Sequence, residues 1–121
     1  MSERVVVVGA SNKPERYAYR AVHDLLAHGH AVVPVHPRVR EVQGLAVYAS
    51  LAGISGPVDT ITLYVNPQTG LELAAGIVAL KPRRIIMNPG TESDALETQL
   101  KTVGIQVQRA CTLVLLSTSQ F

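Results

Sequence analysis

Residues 5–12 read Val5-Val6-Val7-Val8-Gly9-Ala10-Ser11-Asn12, and the break at Gly9 decides the fold. Four successive valines with no polar alternation are the signature of a strand buried on both faces. Gly9 then allows a sharp turn and a close backbone approach. A helical stretch follows, about Arg16 to His28, with Ala21, Val22, Leu25 and Leu26 on one face and Gly29 as its stop. A second apolar run, Ala31 to Val35, ends in His36-Pro37-Arg38. Strand, tight turn, helix and parallel strand form the unit that offers a helix N-terminus to a phosphate.

The same alternation continues to the end of the chain. Ser50 suits the N-cap of a short turn over Leu51–Ile54, and a third strand spans Thr60–Val65. Pro67 can open a helix that runs to Leu80, and a fourth strand covers Arg84–Met87. A third helix starts near Thr91 and stops before Gly104, and a fifth strand covers Ile105–Gln108. Residues 112–121 suit either a sixth strand or a helical turn. Strands alternating with helices imply parallel pairing through right-handed crossovers. The predicted fold is α/β: one domain over residues 1–121, three-layer, Rossmann-like and doubly wound, with a parallel five-stranded sheet in the order 3-2-1-4-5.

At 121 residues, 47% hydrophobic and 17% charged, the chain can bury a single core without staples. Its apolar runs are far shorter than the roughly 20 residues of a membrane span, and Met1-Ser2-Glu3-Arg4 has no signal-peptide build. One cysteine excludes an internal disulfide and suits a reducing compartment, so the expectation is a cytoplasmic protein with no membrane partner. A net charge of +2, scattered cations, no Trp and one Phe argue against nucleic acid.

Ligands of a doubly wound sheet lie beyond the carboxyl ends of its strands. Gly9, Ala10, Ser11 and Asn12 are therefore candidates for a diphosphate, with Lys13 and Arg16 near enough to neutralise it. Their alternative role is an ordinary strand-to-helix turn. The turn has one glycine where a dinucleotide fingerprint has three, and Arg38 stands where a nicotinamide site would place an acid. A base there suits a ribose bearing a phosphate, the 3′-phosphate of coenzyme A or the 2′-phosphate of NADP, unless Arg38 is simply solvated. Asn88, Pro89 and Gly90 follow the fourth strand and Asn66-Pro67 the third, each a candidate binding loop or a plain turn.

Catalytic constellations are sparse. His23, His28, His30 and His36 lack metal-ligand spacing, and no serine sits in a nucleophile elbow. Glu92 is explained by a helix N-terminus, and Cys111 reads first as a small buried hydrophobe and second as a reactive thiol near the fifth strand. No catalytic or metal-binding residue is assigned.

Val6-Val7-Val8-Gly9-Ala10-Ser11, Gly29-His30-Ala31-Val32-Val33-Pro34-Val35-His36-Pro37, Gly44, Tyr48-Ala49-Ser50-Leu51, Val58-Asp59, Asn88-Pro89-Gly90 and Arg109-Ala110-Cys111 occur in that order. In these segments the chain resembles the small stand-alone CoA-binding-domain family, relatives of the nucleotide-binding domain of the succinyl-CoA synthetase alpha subunit. The resemblance implies a Rossmann-like domain with coenzyme A over the first turn. Gly9, Ala10, Ser11 and Asn12 would meet the diphosphate, and His36, Pro37 and Arg38 the adenosine 3′-phosphate end. Val65, Asn66 and Pro67 would flank the adenine, and Asn88, Pro89 and Gly90 the pantetheine. His36 stands where the family often has Asn, and Asn88 where it often has Gln. The phosphohistidine segment of the synthetase has no counterpart here, which argues against ligase chemistry in this chain alone. The resulting expectation is non-covalent binding of coenzyme A or an acyl-CoA. The alternatives are an NADP-dependent oxidoreductase fragment and a regulatory subunit with a vestigial site. The apolar tail through Phe121 suits either a sheet edge or a homo-oligomer contact.

Overall fold

A computed structural model describes residues 2–121. Its centre is a parallel sheet of β1 (Arg4–Val8), β2 (Ala31–Val35), β5 (Thr60–Leu63), β6 (Arg84–Met87) and β7 (Gln106–Arg109). A small antiparallel hairpin, β3 (Glu41–Val42) and β4 (Leu45–Ala46), lies outside it. Helices α1 (Tyr17–Ala27) and α5 (Thr112–Ser117) pack together on one side. On the other side are α2 (Pro67–Glu72), α3 (Ala74–Leu80), α4 (Asp94–Thr102) and a 3-10 turn over Leu51–Gly53.

The valine run serves both layers. Val5 and Val7 join Ala10, Val22, Leu25 and Leu116 in one core, while Val6 and Val8 join Ile61, Leu63, Ile77, Ile85 and Met87 in the other. A strand with apolar side chains on both faces belongs in the middle of a covered sheet, and β1 is paired on both edges, to β2 and to β5.

The five-stranded parallel α/β architecture is as the sequence predicts; the position of one strand differs. Counted along the chain, the order is 2-1-3-4-5, so Thr60–Leu63 inserts between β1 and β6 instead of flanking β2. Pro34 supplies the reason. It has no N–H to give a neighbour, which confines β2 to an edge. Its carbonyl accepts from Tyr48 N–H at 2.9 Å, His36 N–H donates to Tyr48 carbonyl at 3.0 Å, and the outer side of β2 is thereby closed.

Two helix boundaries also move, and the tail takes one of its two expected forms. The helix predicted over 67–80 is broken at Leu73, whose φ −89° and ψ 1° separate α2 from α3. Ser93 caps α4 by accepting from Leu96 N–H, while Thr91 donates its hydroxyl back to Asn88 carbonyl. The tail forms α5, and Phe121 turns back onto the chain's own sheet, with the Arg84 guanidinium 4.5 Å from its ring centroid and His30 5.0 Å away.

Candidate functional site

The strand order fixes where a ligand can enter. From β1 the chain leaves toward α1 on one face, and from the adjacent β5 it leaves toward α2 on the other. A crevice must open between their carboxyl ends. It does: a cleft of about 790 Å³ is lined by Gly9, Ala10, Ser11, Asn12, Lys13 and Arg16 on the β1 side and by Tyr64, Val65, Thr69 and Leu73 on the β5 side. His36, Pro37 and Val39 close one end, and Val35, Ala49, Ser50 and Leu51 form its apolar wall. The volume is within the range of small-molecule sites, roughly 300–1,000 Å³.

Gly9 is held at φ 86°, where a Cβ is strained. That Cβ would also lie 2.5 Å from Tyr64 carbonyl oxygen, so the glycine is demanded by the backbone of the neighbouring strand. Nor are its amide and the next one free: Gly9 N–H and Ala10 N–H both donate to Val35 carbonyl, at 3.0 and 3.1 Å. These two residues therefore shape the turn while the polar contacts open further along. Ser11 Oγ accepts from Lys13 N–H, which curls the loop toward α1. Among the described residues no side chain caps α1, and its first residues, Tyr17 and Ala18, line the cleft. An uncapped helix N-terminus combines unsatisfied N–H groups with the positive end of the helix dipole. With Lys13 and Arg16 beside it, and no carboxylate among the lining residues, the cleft favours an anion.

The structure brings together Gly9, Ala10, Ser11, Asn12, Arg16, His36, Pro37 and Val65. Arg38, Asn66, Pro67, Asn88, Pro89 and Gly90 lie outside the lining. Arg38 is exposed on the turn that follows His36. Asn66 accepts from Thr69 N–H and caps α2. Asn88 is almost fully buried: its amide donates to Thr62 hydroxyl and Leu63 carbonyl, both at 2.7 Å, and accepts from Thr112 N–H at 2.9 Å. An asparagine so fully engaged locks β5 and β6 to the start of α5 and has no donor left for a ligand. Cys111 is half-buried at the head of α5, also outside the cleft lining.

Sequence reasoning missed Tyr64 and the wall from Val39 to Leu51. The Tyr64 hydroxyl is buried without a hydrogen-bond partner among the described residues, and burial pushes the phenol up to about 12. Its signal was available, since it immediately follows the third strand in the segment that must face Gly9. The turn at Leu51–Gly53 was expected from Ser50, but its approach to the cleft depends on the tertiary fold and left no local signal. A second concavity, between α4 and β7, is occupied by ion pairs of Arg109 with Asp94 and Glu97 and of Lys101 with Glu97. Among the described residues no helix is long and apolar enough to cross a membrane, and no cluster of three His, Cys, Asp or Glu is placed to hold a metal.

The family model for the CoA binding domain matches residues 3–117. The chain belongs to the CoA-binding domain family. It is similar to the alpha subunit of the ADP-forming acetate–CoA ligase II of Pyrococcus furiosus, 39% identical over 62 residues, which are 50% of this chain and 14% of that subunit. It is also similar to the uncharacterized protein YneT of Bacillus subtilis, 32% identical over 63 residues, 52% of this chain and 47% of that protein. The matched stretch thus spans less than half of either curated relative. A solved crystal structure of an uncharacterized protein superposes with a TM-score of 0.94 at 42% identity, covering 100% of this chain and 99% of that one.

Proposed function

We propose that this CoA-binding domain holds coenzyme A or an acyl-CoA reversibly and non-covalently and performs no chemistry of its own. One observation carries the reading: the uncapped N-terminus of α1 opens into the switch-point cleft beside Lys13 and Arg16, with no carboxylate among the lining residues. The diphosphate would rest against Ser11, Asn12 and the first-turn amides of α1, since the amides of Gly9 and Ala10 are already engaged. The adenosine end, with its 3′-phosphate, would lie toward His36, Pro37 and Arg38. Val35, Ala49, Leu51, Val65 and Leu73 offer apolar surface for the adenine and the pantetheine. Fixed amides and cations suffice to bind a charged coenzyme, and among the described residues no hydrogen bond joins a lining serine hydroxyl to His36: Ser11 Oγ accepts from Lys13 N–H and His36 Nδ1 from its own loop.

Calorimetric titration with coenzyme A, acetyl-CoA, NADP and NAD side by side tests the reading. Coenzyme A is expected to bind more tightly than either nicotinamide dinucleotide. NAD or NADP binding as tightly would overturn it. Sedimentation of the same samples reads whether the domain works as a monomer or a homo-oligomer.

A further inference from the structure

His36 accepts a pair of hydrogen bonds from its own loop. Its Nδ1 accepts from Arg38 N–H at 3.0 Å and from Val39 N–H at 3.1 Å. An imidazole nitrogen that accepts carries no proton, so the ring is the neutral tautomer with hydrogen on Nε2. The turn Pro37–Val39 is therefore folded around an acceptor that exists only while His36 is uncharged. Pro37 and Val39 line the end of the cleft together with the imidazole itself, and Arg38 is carried on the same turn.

We infer that His36 is a positioning residue that gates the cleft by protonation: neutral, it builds the rim that receives the nucleotide end of the ligand; charged, it releases that rim. This rests on the coenzyme reading above and adds its regulation. Protonation places an N–H against two backbone N–H groups, so both bonds are lost and the donors repel. The ring must rotate away, and Pro37, Arg38 and Val39 lose their anchor.

The charges around the ring set the sign. Lys13 and Arg16 share the cleft from the β1–α1 turn, Arg38 and Arg40 belong to the loop itself, and Tyr48 and Ser50 come from the strip beside β2; no carboxylate lines the cleft to hold an imidazolium in place. The added positive charge attracts a diphosphate by itself. In an open cleft salt weakens the attraction between an imidazolium and a diphosphate, whereas loss of the two backbone bonds that shape the rim is expected to cost about tenfold in binding. The rim dominates, and affinity falls once the pH is low enough to protonate His36.

The test uses dephospho-CoA, whose diphosphate diester stays fully ionised at both pH values used and so contributes no titration. Affinity is measured at pH 8 and pH 5.5 for wild type and for His36→Asn, whose side-chain carbonyl can accept the same two bonds but never protonates. The readout is the pH ratio within each protein, since His36→Asn also loses the Nε2–H donor and binds a few-fold more weakly throughout. Wild type is expected to lose about tenfold between the two pH values and His36→Asn less than twofold. In parallel, the Arg38 and Val39 amide resonances of the ligand-free protein are followed by nitrogen–proton NMR; they should shift together with the His36 ring in wild type and stay fixed in His36→Asn.

An unchanged wild-type affinity, an equal loss in both proteins, or loop amides indifferent to the His36 titration would each overturn the gate while leaving coenzyme binding standing. Absence of binding at pH 8 in wild type would instead remove the coenzyme reading, and the gate with it.

Discussion

Gly9 and Tyr64 meet backbone to backbone: a Cβ on residue 9 would stand 2.5 Å from the Tyr64 carbonyl oxygen. The contact ties the turn after β1 to the turn after β5, the two segments between which the cleft opens. A residue that looks selected for phosphate is thus held first by the packing of adjacent strand ends.

Gly9→Val is therefore expected to destabilise the fold, by about 3 kcal/mol or more from left-handed backbone strain and overpacking together. Urea unfolding measures it. A variant with wild-type stability that merely fails to bind coenzyme A would show that the crowding at Tyr64 is absent and that only the ligand demands glycine.

Tyr64→Phe removes a buried hydroxyl that has no hydrogen-bond partner among the described residues, with the Thr62 and Thr112 hydroxyls nearby. Stability at pH 7 should be unchanged or raised by up to about 1 kcal/mol, because no bond is broken. At high pH the two proteins should diverge. The folded phenol is raised to about 12 against an ordinary value near 10, so the folded state binds its proton more tightly. That stability is present below about pH 10 and is lost as the pH rises toward 12, a difference of roughly 2–3 kcal/mol. Thermal melts from pH 8 to 12 should show the extra alkaline loss in wild type only.

Asn88→Ala strips three buried hydrogen bonds at the β5–β6–α5 junction. The expected loss is about 2–4 kcal/mol, given the cost of leaving buried partners unsatisfied. Molecules that remain folded should keep nearly full affinity for coenzyme A, since the amide has no donor to spare. A loss of affinity without a loss of stability would return Asn88 to the pantetheine.

Arg38→Ala separates coenzyme A from its dephospho form. If Arg38 reaches the adenosine 3′-phosphate from its exposed turn, coenzyme A should weaken by about 1.5–3 kcal/mol while dephospho-CoA is almost unaffected. Parallel losses on calorimetry would mean that Arg38 supports the turn and does not contact the phosphate. Arg16→Ala, at the mouth of α1, should weaken both ligands alike, because both carry the diphosphate.

Much of the design is local and therefore legible along the chain. Val5–Val8 announce a strand covered on both faces, Gly29 and Gly104 stop helices, and Gly9 marks the turn at the mouth of the cleft. Pro34 also carried a message, that β2 must be an edge, which leaves the other side of β1 open for a later strand; the structure puts Thr60–Leu63 there. The candidate site was legible where the rule of strand ends applies, at Gly9–Asn12, Arg16, His36, Pro37 and Val65.

The sequence by itself determined the class of fold, the end of the sheet at which the cleft opens and the positive character of that end, because propensity, periodicity and turn chemistry act over a few residues. Tertiary structure decided how each polar group is spent. Whether an asparagine faces a ligand, caps a helix like Asn66 or locks three elements like Asn88 depends on partners 3 to 26 residues away. The amides of Gly9 and Ala10 are likewise taken by Val35. Hydrogen bonds are short-ranged and saturable, so only the assembled neighbours show which donors remain for function.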